Sequence, residues 1–108
     1  MSKEITDIDF KKEVIDSDKI ILIDFWAPWC VPCLQQKSIL EKLEKEYKGK
    51  IRFLNINIDK NQVFASRYLI MNIPNCLIFK DGKPIEQIVG LVSTNKLREA
   101  LDRILMEG

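Results

Sequence analysis

The chain has 108 residues, 46% of them hydrophobic and 31% charged, with 17 basic and 16 acidic side chains that leave a net charge of +1. That size and balance suit one domain, 1–108, and a chain this long buries roughly two thirds of the surface it exposes when unfolded, so it needs no structural disulfides. The interspersed charges offer no basic face for nucleic acid, no apolar run approaches the roughly 20 residues of a membrane span, and the opening MSKEITDIDF lacks the apolar core of a signal peptide, which makes the cytoplasm the expected location.

A short strand near Ile5 and a helix through Phe10 and Val14 open the chain. KIILIDFW, Lys19 to Trp26, is apolar at nearly every position and rich in β-branched and aromatic residues, as a central strand covered on both faces is. From Cys33 onward Leu34, Ile39, Leu40, Leu43 and Tyr47 recur at helical spacing, and Gly49 supplies a stop. IRFLNINID, Ile51 to Asp59, reads as a second strand, so strand, helix and strand form a βαβ unit with parallel strands. VFASRYL is helical by composition and is broken at Asn72–Ile73–Pro74. CLIFK and PIEQIVG flank Asp81–Gly82, a hairpin turn pair, and should run antiparallel. Ser93 then caps a helix with Leu97, Ala100, Leu101, Ile104 and Leu105 on one face. The expected fold is α/β, a central mixed sheet of four to five strands flanked by helices on both faces.

The chemistry concentrates in IDFWAPWCVPC, Ile23 to Cys33. Three cysteines make an odd count, with two packed into this one motif, whereas a secreted scaffold scatters an even number. The chain has no histidine, which removes Cys–His and Ser–His–Asp catalysis and leaves any zinc site a ligand short unless a carboxylate serves; no metal is expected. Cys30 falls at the start of the helix and Cys33 three residues on, a spacing of about 5–6 Å that a disulfide can close and reopen. Free N–H groups and the positive end of the helix dipole favour a thiolate at Cys30, which makes it the nucleophile. Cys33, further in, is placed to resolve the mixed disulfide that Cys30 forms. Pro32 suits a first helical turn and stiffens the loop. The competing reading, two cysteines that are merely small buried hydrophobes, fits poorly at an element junction between Trp29 and Pro32.

Asp24 sits on the doubly covered strand. Burial should raise its pKa and let it pass protons to and from a thiol, directly or through a water, unless it is exposed or salt-bridged.

FWAPWCVPC with Asp24 six residues before the first cysteine resembles the active-site segment of the thioredoxin family. NINIDKN, NIPNCLIFKDGK and IVGLVS extend the likeness along nearly the whole chain. The resemblance implies a thioredoxin fold in which Cys30 attacks, Cys33 resolves and Asp24 is the buried proton exchanger. It also implies a cis Ile73–Pro74 peptide, with Ile73 pairing to an extended substrate and Trp29, Ile58 and Gly90 forming a low apolar dock, although Ile58 fits a core position equally well and Gly90 a turn. The implied activity is that of a protein-disulfide reductase, a monomer acting on protein disulfides and re-reduced by a thioredoxin-reductase-type partner, with no cofactor beyond the Cys30–Cys33 disulfide. A disulfide oxidant or isomerase, or a binding module that keeps only the fold, are the alternatives.

Departures from the family pattern carry their own expectations. Val31 replaces the glycine of CGPC, Leu34 a common lysine, and Ser38 a helix-kinking proline. Asn55 stands where a lysine is common near the buried aspartate, which should leave Asp24 without that cation. Cys76 is expected to be a core residue.

Overall fold

The computed structural model describes residues 2–107. Five strands, β1 (Lys3–Ile5), β2 (Ile21–Trp26), β3 (Arg52–Asn57), β4 (Asn75–Lys80) and β5 (Lys83–Val89), form one sheet in the order β1-β3-β2-β4-β5. β3 runs parallel to both β1 and β2, whereas β4 runs antiparallel to β2 and β5. The sheet is therefore mixed, and β2 is its central strand, as its unbroken apolar run demands. Pro84, which cannot donate to a ladder, stands on the edge strand β5, where the β4–β5 register shifts near Ile78 and Phe79.

Alternation along the strands divides the core in two. On one face Leu22, Phe53, Cys76, Ile78 and Ile88 pack against Leu40 and Leu43 of α2 (Val31–Glu46) and Leu97, Leu101 and Ile104 of α4 (Thr94–Glu107). On the other, Ile21, Ile23, Phe25, Ile56 and Phe79 meet Phe10 of α1 (Asp7–Phe10), Val14 and Phe64 of α3 (Val63–Arg67), with the Phe10 and Phe64 rings stacked 4.1 Å apart. The opening helix continues past Phe10 as a wider π turn over Lys11–Ile15, which carries Val14 into this core.

α2 starts at Val31 with Cys30 as its N-cap, as expected for a cysteine at the start of the helix. One expectation about α2 changes. Leu34 is not in its apolar stripe: Leu34 is 46% exposed, and Cys33, Gln36, Leu40 and Leu43 form the buried face. Strand β3 ends at Asn57, so Ile58 lies just beyond it rather than within it. Ser93 caps α4 as expected, its hydroxyl accepting from the Lys96 N–H at 3.1 Å. Among the described residues no helix is long and apolar enough to cross a membrane.

Candidate active site

The site begins where β2 runs out. A tight turn, closed by the Cys30 N–H on the Ala27 carbonyl at 3.1 Å, carries the chain from Trp26 to the start of α2. Cys30 has extended backbone, φ −92° and ψ 104°, and its sulfur accepts the Cys33 N–H at 3.2 Å. That N–H is one of the free donors at a helix start, so the fold aims a hydrogen bond and the dipole at this sulfur. Pro32 occupies the first turn, where its missing N–H costs nothing. Cys30 and Cys33 are joined as a disulfide, with Cα atoms 5.2 Å apart. Both sulfurs belong to a small buried cluster with Ala27, against which Trp26, Ile58 and Ile73 pack.

The remaining residues expected at the site surround this pair. Ile73–Pro74 is cis, and the Ile73 carbonyl oxygen lies 3.9 Å from the Cys30 sulfur. Gly90, at φ +84°, donates its N–H to the Pro74 carbonyl at 2.7 Å, which ties the final loop to the cis peptide. Trp29 is 66% exposed and Val31 62%, both flanking the cysteines. Ile58 is half-buried and packs against the second core as well as the cysteine cluster.

Asp24 points to the α2 side of the sheet and is buried, and its Oδ1 has no hydrogen-bond partner among the described residues. It shares a cavity of about 20 Å³ with Cys33, Trp26, Lys37, Glu41, Asn55 and Ser2, among others. That is room for one water, which could bridge the carboxyl and the inner thiol. Burial pushes the Asp24 carboxyl up to about 7 from an ordinary 3.8, and the charge of Lys37 pulls the other way. Asn55 brings no cation from β3, and the charge that reaches Asp24 comes from Lys37 of α2 instead. Asn55 binds locally, its carbonyl accepting from the Trp26 indole at 2.9 Å and its amide donating to Ser2 Oγ at 2.7 Å.

Sequence reasoning also missed residues that hold the site together. The Trp29 indole donates to Asp59 at 3.1 Å, and the buried Gln36 accepts the Val92 N–H at 3.1 Å, linking α2 to the Gly90 loop. Lys37 was detectable: it is one turn beyond Cys33, at the i, i+4 spacing that shares a helix face. Among the described residues no cluster of three or more cysteine or acidic side chains is placed to hold a metal ion.

The family model described as Thioredoxin matches residues 1–103. The chain belongs to the thioredoxin family. Among its relatives, "Thioredoxin 1" of Nostoc sp. is 41% identical over 94% of this chain and 95% of its own length. "Thioredoxin" of Rickettsia felis is 41% identical over 95% and 98%, and "Thioredoxin" of Staphylococcus aureus 39% over 94% and 96%. With a reversible cysteine pair at the head of α2, this thioredoxin-family chain is a protein thiol–disulfide oxidoreductase, a protein-disulfide reductase.

Proposed function

We propose that the chain is a cytoplasmic, monomeric single-domain dithiol reductant of protein disulfides, re-reduced by a thioredoxin-reductase-type partner, and that it carries its electrons on Cys30 and Cys33 without a cofactor. The observation that carries the assignment of roles is the difference in position between the sulfurs: Cys30 at the helix N-cap between exposed Trp29 and Val31, Cys33 inside, lining the cavity with Asp24. The Cys30 thiolate attacks a client disulfide, forming a mixed disulfide and expelling one client thiolate. Asp24, ionised, takes the Cys33 proton, directly or through a water. The Cys33 thiolate then attacks the Cys30 sulfur, closing the Cys30–Cys33 disulfide and releasing the second client thiolate. Two electrons pass to the client.

An extended client segment would lie along Ile73 and cis-Pro74, with Trp29, Ile58 and Gly90 as the apolar dock. A dithiol reductant works in a reducing compartment, which favours the cytoplasm.

Trapping tests these roles. Cys33→Ser should accumulate mixed disulfides with client proteins, and Cys30→Ser should not; trapping by the opposite variant would reverse the assignment. Insulin reduction under dithiothreitol, with an equilibrium potential at or below that of the glutathione pool, should identify the reductant. A strongly oxidising potential would favour the oxidant or isomerase.

A further inference from the structure

Asp24 is a carboxyl shut between a sheet and a helix, and what lets such a group ionise is whatever charge reaches it. From α2 the cavity that it lines receives Cys33, Lys37 and Glu41; β4 places the Cys76 thiol opposite it; β3 brings Asn55 and the segment before β1 brings Ser2, neither of which titrates. Lys37 is the cation of this set. Its side chain is exposed at the helix surface, yet its ammonium lies over the Trp26 ring, 5.7 Å from the centroid, and Trp26 is itself pinned by Asn55. An aromatic face attracts a cation, so the ring holds the Lys37 head at the cavity that Asp24 and Cys33 share.

We propose that Lys37 is a positioning residue for proton exchange: held by Trp26 at the cavity, it supplies the charge that lets Asp24 give up its proton while thiol and disulfide interchange at Cys30 and Cys33. The proposal rests on the reading of Asp24 as the proton exchanger. Its electrostatics agree with the geometry, since the Lys37 charge opposes the upward push of burial on the Asp24 carboxyl. Lys37 touches no reacting atom. It acts through Asp24, by keeping the carboxylate accessible near neutral pH.

The test follows the Asp24 carboxyl of the reduced, full chain by 13C NMR across pH, alongside the pH profile of insulin-disulfide reduction. Lys37→Gln should move both midpoints upward by about half a pH unit or more, because an opposite charge within reach lowers a carboxyl pKa and its loss raises it. Exchange at pH 7 should slow about two- to threefold. Lys37→Arg should keep the wild-type midpoints. In the Lys37→Gln background Asn55→Lys, which brings a cation from the β3 side of the same cavity, should bring the midpoint back down. Asp24→Asn separates the two readings. If it removes the step from the rate profile while Lys37→Gln leaves the carboxyl midpoint where it was, Asp24 exchanges protons without Lys37 and the proposal fails alone. If Asp24→Asn leaves the profile unchanged, the reading of Asp24 fails and the proposal falls with it.

Discussion

Asp24 and Cys76 lie directly opposite one another across the antiparallel β2–β4 pair, and both belong to the sheet face under α2 and α4. Burial, and then the nearby Asp24 charge, hold the Cys76 thiol well above the ordinary thiol range. A thiol that cannot ionise is a poor nucleophile. The fully reduced native chain, treated with iodoacetamide near pH 8, should therefore lose Cys30 first and keep Cys76, which reacts only in denaturant. Modification of Cys76 in the native protein at a rate like that of Cys30 would place it in the redox cycle.

Stability should fall with pH because of Asp24. Its folded-state pKa of about 7 lies above the ordinary 3.8, so between these values the native state binds more protons than the unfolded one. Below about pH 4 both states are protonated and the native carboxyl costs nothing extra. The cost grows as pH rises through the window and is complete above pH 7, at about 4 kcal/mol for a gap of this size. Asp24→Asn should remove that loss, so urea melts of the two oxidised proteins should differ little at pH 4, diverge as pH rises and stay furthest apart above pH 7, with the variant the more stable. Parallel curves would mean that Asp24 titrates alike in both states.

Much of this was legible in the chain before its coordinates. The nearly continuous apolar run of β2 marked it as central, and an acid inside a strand covered on both faces pointed to burial, which is why Asp24 was found. The helix start at Cys30 followed from a C-x-x-C placed between a strand and a helical repeat. What stayed hidden depends on tertiary pairing. Nothing local distinguishes Gln36 from a surface glutamine, yet it is fully buried because the Gly90 loop offers it the Val92 N–H. Likewise the spacing puts Lys37 on the Cys33 face of α2, but only the fold shows its ammonium over the Trp26 ring. The cis state of Ile73–Pro74 came from family likeness alone, since the trans isomer dominates X–Pro bonds.

The β4–β5 turn gives a sharp contrast between glycines. Asp81 and Gly82 both have positive φ, 52° and 77°, as a two-residue hairpin turn that follows the strand twist requires. A Cβ on Gly82 would also sit 2.1 Å from the Ile15 carbonyl oxygen, a backbone atom that cannot swing aside. Gly49 has φ +84° with nothing within 4 Å of the same added atom. Gly49→Ala should thus cost only the left-handed conformation, about 1 kcal/mol, and Gly82→Ala roughly 2–4 kcal/mol. Thermal melts should show Gly82→Ala dropping by roughly 10 °C or more and Gly49→Ala by about half as much or less. Equal losses would mean that the hairpin simply moves away from Ile15.

Val31 is the first residue of α2 and lies beside Cys30 with 62% of its surface exposed, so it crowds no buried neighbour and its influence runs through the backbone. When the disulfide is closed, the ring itself holds residue 31 in place. Once it opens, only the helix end does, and there a β-branched side chain leaves fewer conformations than glycine would. Val31→Gly therefore adds freedom mainly to the dithiol form and should make the disulfide easier to reduce. Substitutions that change backbone freedom in this way are worth about 0.4–1 kcal/mol, and for a two-electron couple about 30 mV corresponds to roughly 1.4 kcal/mol. The equilibrium potential should become less negative by about 10–20 mV. Redox titration of both proteins in the same dithiol buffer measures this. Coincident curves would leave Val31 to affect client fit only, and a shift to more negative values would mean that glycine relieves strain in the closed ring.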